Sequence, residues 1–111
     1  MVQFSRPLDS AFAALSDPTR RGILERLGRD DASISDLAAT FRMTLTGLKK
    51  HVAVLEDAGL VATEKVGRVR TVRLGPRRLD DETAWLDHYR RMQEDRLNRL
   101  GDFLERTKGQ S

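Results

Sequence analysis

The sequence predicts a mainly α fold of about five helices with one small β-hairpin, built as a single domain over residues 1–111. Three observations carry that reading. Apolar residues step by three and four through several short stretches, the spacing that lines one face of a helix. Two runs rich in β-branched residues, Val61 to Val66 and Val69 to Leu74, flank Gly67-Arg68, a good hairpin turn. A final stretch from about Asp80 to Thr107 keeps the helical period far longer than the others.

Composition removes several classes of function. A chain of 111 residues with 39% apolar and 33% charged residues can fold around one modest core and keep a large charged surface. Zero cysteines exclude disulfides, thiolate metal sites and cysteine nucleophiles, and suit a reducing cytosol. No run of eighteen apolar residues is present, and the first residues lack the basic start and apolar core of a signal peptide. A cytoplasmic protein without a membrane partner is expected. The net charge of +3 decides little, but its distribution does. Residues 42–73 hold seven basic and three acidic side chains, a balance of +4. Residues 80–106 hold eight acids and five arginines, a balance of −3. A polyanion should meet the middle of the chain and not its last helix.

Residues 1–6 read as a loose arm. Pro7 can open a first helix in which Leu8, Phe12 and Leu15 share a face that needs a partner. Asp17-Pro18 is a strong helix start, and the second helix runs to about Leu27, with Ile23, Leu24 and Leu27 inward and Gly28 ending it. Arg20 and Arg21 stand in its first turn, against the preference of the helix dipole for acids there. They are either solvated surface or contacts to phosphate or to an acid elsewhere in the fold. Asp30-Asp31 are linker. Ser35 is the expected cap of a third helix from Asp36 to about Phe41, with Leu37, Ala38 and Phe41 inward.

After a turn at Arg42-Met43, Thr44 caps a fourth helix. Leu48, Val52 and Leu55 form its apolar back, Lys49, Lys50 and His51 point elsewhere, and Gly59 is free to take the left-handed stop. Two short helices joined by a tight turn, the second with a basic front, make a helix-turn-helix over residues 35–60. The turn lacks the frequent glycine. The hairpin over residues 61–74 then reads as a wing, with Arg68 at its tip placed to reach a narrow minor groove.

Gly75-Pro76-Arg77-Arg78 is a linker. In the last helix, Asp80, Asp81 and Glu82 crowd the first turn, as the dipole favours. Leu86, Tyr89, Gln93, Leu97, Leu100 and Leu104 step by three or four, and Trp85, Met92 and Phe103 widen the stripe. About 27 residues span roughly 40 Å, more than so small a core needs, so the surplus apolar length implies a second chain. Residues 108–111 read as a disordered tail.

Together these motifs resemble the ArsR/SmtB family of bacterial winged helix-turn-helix repressors. The resemblance runs from about Leu8 to Leu104. It rests on Leu15-Ser16-Asp17-Pro18-Thr19-Arg20-Arg21-Gly22-Ile23-Leu24, on Ser35-Asp36-Leu37-Ala38, on His51-Val52-Ala53-Val54-Leu55-Glu56-Asp57-Ala58-Gly59-Leu60-Val61 and on Gly67-Arg68. It implies a homodimer joined through the first and last helices, residues 8–15 and 80–107. Leu8, Phe12, Trp85, Leu86, Tyr89, Leu97, Leu100 and Leu104 would form the interface. Metal sensors of the family carry cysteines in the third helix or paired acid and histidine ligands along the last. The segment Trp85-Leu86-Asp87-His88-Tyr89-Arg90-Arg91 with Arg96-Leu97 resembles a branch of the family that lacks these sites, and here the third helix has no thiolate and the last has His88 and no second histidine a few turns on, so no metal or other cofactor is expected.

The expected DNA-reading surface is Thr44, Thr46, Gly47, Lys49, Lys50 and His51, with Arg68 and Arg70 from the wing. Lysine reads guanine or neutralises phosphate, and threonine bonds to either or touches a thymine methyl. Gly47 is a weak spot in the helix or a point of close approach to DNA. Leu45 covers the core or meets a thymine methyl. His51 touches phosphate or serves the domain's own packing. His88, Trp85 and Tyr89 fit packing better than a ligand site. The function expected is sequence-specific regulation on double-stranded DNA, by a homodimeric repressor that occludes a promoter. The alternative is a winged helix that docks on a protein and reads no DNA. No nucleophile–base pair, phosphate loop or metal cluster supports an enzyme. The sequence names no effector. Leu45, Gly47 and Lys49 stand where the family more often has small polar residues, so the operator cannot be borrowed from it.

Overall fold

The structure is a computed structural model that describes residues 6–108. Most of the expected arm, and the tail beyond residue 108, lie outside these residues. Arg6 and Lys108 themselves are helical. The elements in order are α1 (Arg6–Leu15), α2 (Pro18–Leu27), β1 (Ala32–Ser33), α3 (Ile34–Thr40), α4 (Leu45–Asp57), β2 (Val61–Val66), β3 (Val69–Leu74) and α5 (Asp80–Lys108). The five helices and the hairpin are those the sequence predicts. The chain divides into two compact units, one up to Leu79 and one from Asp80.

In the first unit, three helices begin where a short polar side chain takes up an orphan amide. Asp17 accepts from the Arg20 N–H, Ser33 from Asp36 and Thr44 from Gly47, each at 3.0 Å. The cap of α3 is therefore Ser33, not Ser35. Ser33 keeps the extended backbone of β1, with ψ 158°, that a cap requires, and Ser35 lies inside the first turn.

Two helices also stop by the same device. At the end of α4, Gly59 takes φ 77°, Leu60 N–H donates to Leu55 O at 2.9 Å, and Gly59 N–H donates to Glu56 O at 2.9 Å. That double closure is the Schellman motif. At the end of α3, Arg42 occupies the left-handed position with φ 53°, Met43 N–H donates to Ala38 O at 2.9 Å, and Arg42 N–H donates to Ala39 O at 3.3 Å. The sharp turn between α3 and α4 thus forms without glycine, its strain offset by two satisfied carbonyls and by Met43 packing against the core.

The sheet has three antiparallel strands in the order β1-β3-β2. The hairpin register runs from Val61 opposite Leu74 to Val66 opposite Val69, and Gly67 turns it with φ 63°. β1 adds Ala32 opposite Val72 and Ser33 opposite Thr71. Two residues are too few to show alternation, so the sequence gives no sign of this strand. The core gathers Ile23, Leu27, Leu37, Ala38, Leu48, Val52, Leu55 and Val72. Leu24 and Phe41, expected inside, are half-buried against it. In α1 the fully buried residues are Ala11 and Ala14, while Leu8, Phe12 and Leu15 are half-buried. Leu74 shares its sheet face with Val72 and stands opposite the buried Val61, yet is 47% exposed.

The second unit is α5, 29 residues and about 44 Å long. Trp85, Leu86, Tyr89, Leu97, Leu100 and Leu104 are all exposed, as are Met92 and Phe103. Trp85 and Tyr89 stack with ring centroids 5.7 Å apart and planes within 5°. No helix among the described residues is long and apolar enough to cross a membrane.

Leu48→Ala, at a fully buried side chain, should cost about 2–5 kcal/mol of folding stability by cavity formation. Leu45→Ala, at a side chain 49% exposed, should cost under about 1 kcal/mol. Urea denaturation with an unchanged m-value checks both. Equal costs would contradict the orientation of α4.

Candidate nucleic-acid interface

The orientation of α4 follows from its buried back. With Leu48, Val52 and Leu55 inside, Thr46 and Lys50 stand on the opposite, exposed face. Lys49 lies on the flank toward the wing. Gly47 and His51, four residues apart, lie on the flank toward α2. Three faces of one helix thus carry the residues expected to read DNA.

The wing flank is the most strongly charged. An open groove of about 420 Å³ runs between α4, the start of α3 and the hairpin. Lys49, Lys65, Arg68 and Arg70 line it with Ser33, Ser35, Leu45 and Val69, and no acid among the described residues does. The hairpin's alternation explains this. Val61, Thr63 and Lys65 share one face with Val72 and Arg70. Its base enters the core through Val61 and Val72, and its outer part carries Lys65 directly opposite Arg70. Like charges paired across strands destabilise a sheet on its own, and a polyanion would relieve them. Lys65 was not among the expected residues. The signal that finds it is register, which places it across from Arg70.

A short hydrogen-bond chain braces the wing against α4. Thr63 Oγ1 donates to Glu56 Oε2 at 2.7 Å, and an Arg70 guanidinium nitrogen donates to Thr63 Oγ1 at 3.0 Å. Arg70 is therefore a strut as well as a groove residue. Arg73, on the other face, pairs with Glu64 at 3.3 Å. Arg68 stands at the exposed tip.

Two expected residues also have a structural task. Thr44 Oγ1 caps α4. A Cβ on Gly47 would sit 3.1 Å from that oxygen and 3.4 Å from the Met43 methyl, so the cap itself favours glycine there. Leu45 is half-exposed along the groove, not a lid on the core.

Arg20 and Arg21 have partners that the sequence does not suggest. They serve the carbonyl end of α1. Arg20 donates through Nε to Ala14 O at 2.9 Å and through a terminal nitrogen to Ala13 O at 3.0 Å, and Arg21 donates to Leu15 O at 2.7 Å. Cations favour a helix C-terminus, and α1 ends two residues before α2 begins, which is why arginines suit this first turn. The remaining terminal nitrogen of Arg20 lies 3.2 Å from His51 Nδ1. Asp17 Oδ2 is 3.9 Å from that same ring nitrogen. The Arg20 backbone N–H holds the Asp17 carboxyl below the usual carboxylate range; partial burial opposes this, and the charges of His51, when protonated, and Arg20 add to it.

A helix whose outward face carries Thr46 and Lys50, joined to a braced cationic hairpin, defines a winged helix-turn-helix of the DNA-binding kind. Comparison with known proteins agrees. A family model for helix-turn-helix domains matches residues 15–64. The HTH-type transcriptional regulator Rv2034 of Mycobacterium tuberculosis is 33% identical over 84 residues, 76% of this chain and 78% of that protein. The transcriptional repressor SdpR of Bacillus subtilis is 29% identical over 79 residues, 71% of this chain and 88% of that one. A solved ArsR family transcriptional regulator superposes with a TM-score of 0.75 at 41% identity, covering 85% of this chain and 97% of that one. The chain belongs to the ArsR/SmtB-type family of winged helix-turn-helix regulators. It is a DNA-binding transcriptional regulator and not an enzyme.

The lowered Asp17 pKa gives a signed expectation. The unfolded chain takes up that proton first, near pH 4, so the stability this carboxylate contributes is present above that pH and is lost as pH falls through the lower folded value. Asp17→Asn keeps a capping oxygen but cannot titrate. Its melting temperature should fall less steeply than that of the wild type below pH 4, as thermal melts at pH 2–5 would record. Parallel curves would remove Asp17 from the acid response.

Proposed function

We propose that the protein is a cytoplasmic, metal-independent, homodimeric repressor that occludes a promoter. Two copies of α4 enter successive major grooves about 34 Å apart on a pseudo-palindrome, and each wing follows the adjoining backbone. The observation that carries the reading is the acid-free groove of Lys49, Lys65, Arg68 and Arg70 beside the exposed face of Thr46 and Lys50. Thr44, Thr46, Gly47, Lys49, Lys50 and His51 supply the surface of the recognition helix, and Arg68 and Arg70 that of the wing. The name of the Bacillus subtilis relative, a transcriptional repressor, supports repression over activation.

Homodimerisation is supported by the length of α5 and by its eight exposed apolar residues, Trp85 to Leu104. Such a stripe in water has a strong drive to be covered. Metal independence is supported by the absence of cysteine and by the lack, among the described residues, of any group of three potential ligands that could hold an ion.

Gel shifts on the protein's own promoter fragment test the reading. Binding should exceed that to random-sequence competitor and weaken steeply with salt. Loss of that preference at all salts would sink it and favour the protein-docking alternative. Arg68→Ala should weaken binding and make the salt slope shallower by about one. Leu97→Glu with Leu100→Glu should give monomers in sedimentation at micromolar concentration and weaker binding. A dimer of undiminished affinity would exclude α5 from the interface.

A further inference from the structure

We propose that Arg20 is a positioning residue for DNA binding: it holds the His51 ring with Nδ1 as acceptor, so that its Nε2–H donates to a DNA phosphate. The inference rests on the DNA-binding reading and adds to it a residue outside the recognition helix.

The argument begins with what a guanidinium can do. It carries only donors and stays charged. Two of the Arg20 donors are held by Ala14 O and Ala13 O, so the group cannot swing away. Its third contact is His51 Nδ1 at 3.2 Å, and that nitrogen must therefore present its lone pair. The single ring proton of a neutral imidazole then sits on Nε2. A competing arrangement would put the proton on Nδ1, facing Asp17 Oδ2. That oxygen is 3.9 Å away, too far for a hydrogen bond, and already accepts the Arg20 backbone N–H at 3.0 Å.

The inner nitrogen of the ring is thus spoken for. The outer one has no hydrogen-bond partner among the described residues, and the side chain is 22% exposed. Helical side chains lean toward the N-terminus, so His51 leans over the turn that holds Gly47. Gly47 has no side chain to cover it. The ring therefore lies over the N-terminal half of α4, on the flank beside the face of Thr46 and Lys50. A phosphodiester oxygen is the acceptor such a surface would meet, and neutral donors bind phosphate alongside charged ones.

Neutrality gives the proposal its signature. A lysine that leaves a phosphate takes counterion release with it, so affinity and salt slope fall together. A neutral donor releases no counterion, so its loss lowers affinity equally at every salt concentration.

The test uses full-length protein and the promoter duplex, titrated by fluorescence anisotropy at 50–200 mM salt and pH 7.5. His51→Ala should bind about three- to tenfold more weakly, as for one lost hydrogen bond, with the slope of the wild type. Lys50→Ala should lose affinity and slope together. Arg20→Lys cannot keep the forked contacts and should match His51→Ala, and the double variant should be no worse than either. A merely structural role is separated by nitrogen NMR of the wild type. Of the two histidines, His88 is assigned by His88→Gln. His51 should show protonated Nε2 and bare Nδ1, Arg20→Lys should release it to a mixture of tautomers, and DNA should slow exchange of the Nε2 proton. Protonated Nδ1, unchanged binding by His51→Ala, or a slope shallower by about one in that variant overturns the proposal and leaves the DNA reading intact. A wild type that binds no promoter DNA overturns both.

Discussion

The burial of Leu48, Val52 and Leu55 is the constraint on which the rest of the first unit depends. These side chains meet α1, α2, α3 and the sheet, and each contributes roughly 1.5–3 kcal/mol by leaving water. Because they lie along one stripe, they fix the rotation of α4 about its own axis. Every other residue of the helix then has a determined direction. Thr46 and Lys50 cannot turn inward, Lys49 cannot leave the wing flank, and His51 cannot avoid Arg20. The specificity of the outer face is in this sense a consequence of the apolar inner one.

Short helices bring a cost that this fold meets repeatedly in one way. Each ends with carbonyls that have no partner within the helix, and so small a domain has little interior in which to hide them. Arg20 and Arg21 serve α1, Arg77 donates to Ala58 O at the end of α4, and left-handed residues close α3 and α4. These side chains also join elements that are not neighbours in sequence. The end of α1 and the flank of α4 meet at a single guanidinium, carried by the first turn of α2. A displacement of α1 would be felt at His51 through two hydrogen bonds.

What the sequence discloses divides along the same line. Periodicity and capping chemistry are local, and the helices, the hairpin and the Gly59 stop are legible from them. The expected cap at Ser35 fails because an equally good capper stands two residues earlier, and the choice belongs to the strand that holds Ser33 extended. β1 is invisible because a two-residue strand exists only through its pairing with Val72 and Thr71. The roles of Arg20 and Arg21 require knowing that one helix ends against the start of the next. Of the candidate site, Lys49, Arg68 and Arg70 are placed together as the charge pattern suggests. Lys65 belongs to that pattern but is not singled out by it, because membership of a groove depends on register, not on composition.

The wing shows how one alternation serves both folding and charge. A hairpin tied to a small core can bury only its base, so the inward face must continue past the core into water. Along β2 that face begins with Val61, passes through Thr63 and ends at Lys65, and β3 mirrors it from Val72 to Arg70. The strand thus changes from apolar to cationic on one face within three alternate positions. Thr63 stands at the changeover and is the residue that bonds to both sides, to Glu56 on α4 and to Arg70 beyond. Without such a link the repulsion of Lys65 and Arg70 would act on a hairpin free to splay. With it, the wing is held where its charges face Lys49 across the groove, and the energy that opposes an empty groove favours a filled one.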